Sequence, residues 1–188
     1  MTLLKELVDI RAGYTFRGKI QNEINMDAAI IQLKDIDYNY NRIKTPSIFK
    51  DSKKFKSNFF LKENDILFIA KGFRQVAVIY SNKEKAIATS VFFIITVRNK
   101  KLLPEYLMWF LNNKETQAIF ERMKSGTSTQ NIKKEVLESL KIKLPSKQEQ
   151  NFIVKYNNLC RKEYIITEKI INKKKALNEQ LMLNLIKK

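Results

Sequence analysis

The chain contains no histidine and one cysteine, Cys160, among its 188 residues. The first absence removes Ser-His-Asp and Cys-His nucleophile units and every metal site that needs an imidazole. The second removes an intramolecular disulfide framework and a cysteine-rich zinc cluster, and it agrees with a reducing compartment. Glycine is scarce too. With only Gly13, Gly18, Gly72 and Gly126, neither a G-x-G-x-x-G turn nor a Walker loop can be written. Binding of a nucleotide or of S-adenosylmethionine through a glycine-rich turn is therefore not expected. Long apolar runs are also missing. "ILFIA" and "VFFIITV" are strand-sized, far below the ~20 residues of a membrane span. "MTLLKELVDI" interrupts its apolar run with Glu6 and Asp9, unlike a signal peptide. The expectation is a cytoplasmic protein, not membrane-bound, with little catalytic equipment.

What is present in excess is positive charge: 36 Lys+Arg against 19 Asp+Glu, a net +17. A chain this basic repels itself unless an anion shares its surroundings. Nucleic acid is the leading partner and an anionic membrane surface the second. The plainer account is a compositional bias toward Lys, Asn and Ile. With 44% hydrophobic and 11% aromatic residues, the chain can bury a core, and its length suits one domain plus an appendage.

Residues 1–100 read as β-rich. "AIIQLKDID" (29–37), "DILFIAK" (65–71), "QVAVIY" (75–80) and "AIATSVFFIITVR" (86–98) are β-branched and aromatic runs of strand length. The period then changes. "PEYLMWFLNNKETQAIFERM" (104–123) opens with Pro at a helix start and Glu105 in the first turn, and predicts one helix. Gly126 ends it, Asn131 is placed to cap a short helix through Leu137, and "LKIKLP" predicts a last strand. Ser146 with Glu149 three residues on forms a capping box. From there neither Pro nor Gly occurs, so one helix of roughly 60 Å is expected at ~1.5 Å per residue. Phe152, Tyr156, Leu159, Ile166, Ile170, Leu177, Leu181 and Leu185 step along it by fours and threes, with a late stutter. Glu163 and Lys173 stand in the seam, where polar residues fix register and partner. A helix of this length is expected to need a partner helix, and Cys160 is expected as a small hydrophobe beside Leu159.

Four loop segments carry candidate contacts to nucleic acid. Lys124, Ser125, Gly126, Thr127, Ser128, Thr129 and Gln130 form a polar loop whose hydroxyls, amides and backbone N–H groups suit phosphate oxygens. "DYNYNRIKTPSIFKDSKKFKSNFF" (37–60) interleaves cations with aromatics. Its Arg42, Lys44, Lys50, Lys53, Lys54 and Lys56 suit phosphates, and Asn39, Asn41 and Arg42 suit base edges. Its aromatics are expected to pack on the sheet. Lys71, Arg74 and Gln75 stand at a tight turn after a strand, with the side chains that read guanine and adenine. Thr15 and Arg17 follow Gly13-Tyr14 in a fourth segment. Asp37, Asp51 and Lys53 loosely imitate the acidic-acidic-lysine pattern of a metal-dependent nuclease, a match that arises easily by chance in a Lys-rich chain.

Taken in order, "LLKELVDIRAGYTF", "IIQLKDID", "LKENDILFIAKG", "LLPEYLMWFLNN" and "SGTSTQNIKKEVLESLKIKLPSKQEQNFI" resemble the successive elements of a type I restriction–modification DNA specificity (S) subunit. The resemblance covers nearly the whole chain, with one recognition domain and one spacer helix where family members usually carry two of each. It implies an α+β fold: a mixed, β-rich target recognition domain with packed helices over 1–145, then a long C-terminal coiled-coil helix over 146–188. It implies that the domain enters the grooves of double-stranded DNA. The helix would pair with that of an identical subunit, through Phe152, Tyr156, Leu159, Ile166, Ile170, Leu177 and Leu181, to read an interrupted palindrome. It implies no cofactor or metal in this chain: methyltransferase subunits would carry S-adenosylmethionine and the catalysis, joined in full systems by a restriction subunit. Alternative readings are a small nuclease or methyltransferase fragment, a coiled-coil adaptor, and a regulatory fragment that pairs with a full-length S subunit.

Overall fold

The structure, a computed structural model, describes residues 1–22, 27–38, 41–124 and 131–186. The chain divides into two compact units, Met1–Asn151 and Phe152–Lys188.

In the first unit the strands are β1 (Thr2–Leu3), β2 (Val8–Ala12), β3 (Ala28–Ile31), β4 (Ile36–Asp37), β5 (Arg42–Ile43), β6 (Phe49–Lys50), β7 (Ile66–Ile69), β8 (Ala77–Ile79), β9 (Ala86–Ala88), β10 (Phe92–Val97) and β11 (Lys141–Ile142). Helices α1 (Pro104–Asn112), α2 (Lys114–Lys124) and α3 (Lys134–Glu138) follow β10, and α4 (Lys147–Ile186) begins after β11. The largest sheet is antiparallel, in the order β2-β10-β7-β8. A second has the order β6-β3-β9, with β3 and β9 parallel. The pairs β1-β11 and β4-β5 complete the set.

Strands β3 and β7 are buried at every position, which is why "AAII" and "ILFI" run without polar alternation. Leu67 and Ile69 face a core shared with Ile31, Val78, Phe92 and Ile94. Phe68, one residue out of phase, points to the other face as the period of two requires, and its ring lies 5.0 Å from that of Phe120 on α2. Asp65 is buried just before β7. Its carboxylate accepts from the Lys62 backbone N–H at 2.9 Å and from the Thr96 hydroxyl at 2.5 Å, and lies 3.5 Å from the Arg11 guanidinium. An acid in that position is a turn-forming anchor between β2, β7 and β10.

The α+β class and the long terminal helix are as the sequence indicates. Four local expectations are corrected. The run 86–98 does not make one strand. It turns at Thr89, whose N–H donates to Ile31 O and whose carbonyl accepts from Phe92 N–H, both at 3.0 Å, so that β9 and β10 join different sheets. The run 104–123 is two helices. Asn113 is extended, and its side chain caps α2 by accepting from Thr116 N–H at 2.8 Å. Asn112 brackets Ala77 on the edge strand β8, accepting from its N–H at 2.9 Å and donating to its carbonyl at 2.7 Å. Asn131 caps nothing: it bridges Lys71, and α3 starts at Lys134. Cys160 is exposed rather than buried in this chain. The last strand forms as expected, as β11 paired with β1.

The capping box at Ser146 is present. Glu149 accepts from the Ser146 N–H at 2.8 Å, and its bonds to Ser146 hold its carboxyl below the ordinary glutamate range. In the next position Gln150 is fully buried. It accepts from Leu103 N–H at 2.9 Å and donates to Lys101 O at 2.8 Å and Pro145 O at 2.9 Å. The second unit, by itself, is the rest of α4. Its Phe152, Tyr156, Leu159, Ile166, Ile170, Leu177, Leu181 and Leu185 are all exposed.

Gly13 ties the two main sheets together. Its N–H donates to Phe92 O at 3.0 Å, and the N–H of Tyr14 donates to Ala88 O at 2.8 Å. A Cβ on residue 13 would stand 2.2 Å from Thr89 O and 2.6 Å from Ala88 O, both backbone atoms. Gly13→Ala should therefore cost ~3 kcal/mol as an overpacked site, read as a fall of roughly 6–12 °C in Tm by calorimetry for a chain of this size.

Candidate nucleic-acid interface

The candidate residues gather into two groups, set by local chain geometry. The first surrounds the Gly13 crossing. Beyond it Tyr14 packs edge-on against Phe16, Phe55 and Phe59, with ring centroids 4.7, 5.1 and 4.9 Å away. These rings, with Thr15, Arg17, Lys50 and Lys54, line an open groove of about 680 Å3. Thr15, Arg17, Lys53, Lys54 and Lys56 are exposed. The turn that carries the lysines is pinned from below. Asp51 accepts from Lys53 N–H at 2.9 Å, and Asp27 accepts from both the Ser52 N–H and the Ser52 hydroxyl at 2.7 Å. Lys85 reaches the same Asp27 carboxylate at 3.1 Å. The rigid part is the backbone; the cationic side chains extend from it. Of the aromatics in this stretch, Phe49 and Tyr38 lie against the core as expected, Phe55 packs on Tyr14 instead, and Tyr40 lies outside the described residues.

The second group lies where the β4-β5 hairpin meets the turn between β7 and β8. Asn41, with φ at 42°, and Arg74 line a small polar recess of about 220 Å3 together with Gln75, Asn112, Gln117 and Glu121. The Arg74 guanidinium sits 5.7 Å from the centroid of the Tyr38 ring. Partial burial raises the Tyr38 phenol, and Arg74 opposes the shift. Arg42, Lys44, Lys71 and Arg74 are exposed, and Arg42 also lies 3.5 Å from Asp37.

Two candidates have other work here. Gln75 is buried, and its amide donates to Gly72 O at 2.9 Å. Lys124 is buried as well, its ammonium donating to Phe73 O at 3.0 Å and to Glu121 at 2.8 Å. Both close the 72–75 turn from behind. Asn39 and Ser125, Gly126, Thr127, Ser128, Thr129 and Gln130 lie outside the described residues. The residues that flank the latter stretch, Lys124 and Asn131, are both tied to the 71–73 backbone. Phe73, Phe59 and Tyr14 belong to these surfaces and were not among the candidates. Phe73 carried a sequence signal, an aromatic between Gly72 and Arg74 in a turn. Phe59 and Tyr14 are brought in only by tertiary packing.

The nuclease pattern does not assemble. Asp37 is engaged by Arg42 and Asp51 by the Lys53 backbone, and no group of three potential metal-ligating His, Cys, Asp or Glu exists among the described residues. No helix among them is long and apolar enough to cross a membrane.

With this geometry, the chain resembles three solved structures. The HsdS subunit from Thermoanaerobacter tengcongensis matches with TM-score 0.62 at 19% identity, over 86% of this chain and 37% of that one. A structure described as the basis of complex assembly and conformational transition of the type I R-M system matches with TM-score 0.70 at 17% identity, over 95% and 42%. The S subunit of the type I restriction-modification system from M. genitalium matches with TM-score 0.51 at 14% identity, over 90% and 42%. These likenesses establish the fold, and the chain spans about two fifths of the length of each. A search of the curated proteins finds no match. The family model for the type I restriction modification DNA specificity domain matches residues 2–180. The chain belongs to that family.

The bonds from the Ser52 hydroxyl and N–H, then Lys85, hold the Asp27 carboxyl well below the usual aspartate range. A depressed folded-state pKa contributes stability that is fully present above the unfolded value, ~3.9, and is lost as pH falls through the folded one. The destabilisation caused by Asp27→Ala, measured by urea unfolding, should therefore be equal at pH 7 and pH 5. It should shrink below about pH 4, as Asp27 takes up a proton in the unfolded chain before it does in the folded one.

Proposed function

We propose that the chain is a sequence-specific DNA-binding specificity subunit of a type I restriction–modification system, acting as a homodimer on a bipartite site. The family match over residues 2–180 carries this reading. The surface chemistry supports it: a net +17 chain presents its exposed Lys53, Lys54 and Lys56 and its exposed Arg42, Lys44, Lys71 and Arg74 on two braced segments. Cations on braced backbone hold phosphates at fixed spacing, which sets register, and the amide and guanidinium groups of Asn41, Arg42 and Arg74 supply donors for base edges. In this reading S-adenosylmethionine and the catalysis belong to methyltransferase subunits, with a restriction subunit in full systems, and the protein works in the cytoplasm. Residues 1–145 act as the recognition domain and 146–188 as spacer.

The exposed stripe on α4 supports the homodimer. The seam residues Phe152, Tyr156, Leu159, Ile166, Ile170, Leu177, Leu181 and Leu185 are among the large apolar side chains that face solvent on one long helix, and a second copy offers the same seam. Two copies related by a two-fold axis would present two recognition domains, and the target would be an interrupted palindrome.

Three outcomes are expected. Selection of duplexes from a random library should return an interrupted palindrome. Replacing Lys53, Lys54 and Lys56 with Ser should then lower the slope of log affinity against log salt by up to about 2.7, near 0.9 for each phosphate no longer neutralised. An unchanged slope would remove those lysines from the interface. Ile166→Glu with Ile170→Glu should convert a dimer to a monomer in light scattering at unchanged helix content. A wild-type chain that is already monomeric would sink the homodimer and move the stripe to another partner.

A further inference from the structure

Phe73 is 86% exposed, and it is the only exposed aromatic among the described residues of the first unit. Its backbone is held by hydrogen bonds from buried side chains on either side. Gly72, at φ +150°, makes the reversal. Gly72 O accepts from the buried Gln75 amide and Phe73 O accepts from the buried Lys124 ammonium. The strand below is closed by Ile69 N–H to Val76 O at 3.0 Å, and Ile132 N–H donates to Ala70 O at 2.8 Å. The neighbouring Arg74 is drawn to the Tyr38 ring. Buried polar side chains thus stiffen a turn whose tip holds a phenyl ring in water, flanked by the exposed cations Lys71 and Arg74.

A packed core would take that ring if the turn let it fold back. A stiff turn that withholds it presents a flat apolar edge between two phosphate-binding groups. That is the chemistry of a side chain that enters a base step, whose stacked faces are apolar and whose flanks are anionic.

We propose that Phe73 is inserted as a wedge at one base step of the bound duplex and partly unstacks it, with Lys71 and Arg74 on the flanking phosphates. This rests on the DNA-binding reading above. It adds a mode of recognition without hydrogen bonds: unstacking is easiest at pyrimidine–purine steps, so one position of each half-site is selected for deformability.

The test uses the full chain and the duplex selected for it, with 2-aminopurine placed in turn at each step of one half-site. Wild type should raise the fluorescence at a single step and bend the duplex by end-to-end energy transfer. Phe73→Ala should abolish both signals, weaken specific binding about tenfold or more, as a mismatch at one half-site position does, and leave the salt slope unchanged. Phe73→Leu should retain part of each. Because the side chain is exposed, both variants should melt with wild type. No step brightening with wild type, or the same brightening with Phe73→Ala, overturns the wedge while DNA binding stands. If Phe73→Ala binds and bends DNA normally but no longer retains a methyltransferase subunit, the ring serves a protein partner and the wedge is overturned. If wild type itself selects no duplex, both readings fall together.

Discussion

The backbone contact between Gly13 and the Ala88-Thr89 corner is the constraint on which the first unit depends. Thr89 is the node. Its N–H donates to Ile31 at the end of β3, its carbonyl accepts from Phe92 at the start of β10, and its neighbour Ala88 accepts from Tyr14. Two sheets are sewn at one point because one residue there has no side chain to keep them apart. The aromatic groove follows from the same stitch. Tyr14 leaves the crossing directly against Phe16, Phe55 and Phe59, and the lysine turn is then held at the groove's rim by Asp27.

The two surfaces share a design. Cations project from segments whose backbones are fixed by polar side chains: exposed Asp27 and buried Ser52 under the first, buried Gln75 and Lys124 under the second. Binding a polyanion costs entropy for every group that must be ordered. Bracing the backbone beforehand confines that cost to the long side chains. Buried polar side chains are expensive when unpaired, and the hydrogen bonds that Ser52, Gln75 and Lys124 make beneath these turns offset part of that cost.

What the sequence disclosed was local. Pro104 with Glu105 and Ser146 with Glu149 announced helix starts because their partners lie within one turn. The α+β class followed from a change of period near residue 100, and the apolar stripe of α4 from spacing alone. What it concealed depended on distant partners. Asn112 and Asn113 read as two ordinary residues within a helix, because nothing nearby reveals that Ala77 needs an edge partner. Gln75 and Lys124 were chosen as candidates for their chemistry, and that same chemistry made them useful inside, against the carbonyls of Gly72 and Phe73. Thr89 and Ser90 interrupt the apolar run only briefly and include none of the stronger turn formers, so they gave little sign that the chain turns there between sheets.

The pairing of β1 with β11 has a consequence for how such domains multiply. Thr2 lies opposite Ile142 and Leu3 opposite Lys141, so the first unit is entered and left through one antiparallel pair. Adjacent ends are the condition under which a unit can be inserted, permuted or repeated along a chain without stretching its connections. A gene that copied itself in tandem would find the second copy's doorway beside the first one's exit, separated by one helix. Two such copies would account for about four fifths of the longer relatives, of which this chain spans about two fifths.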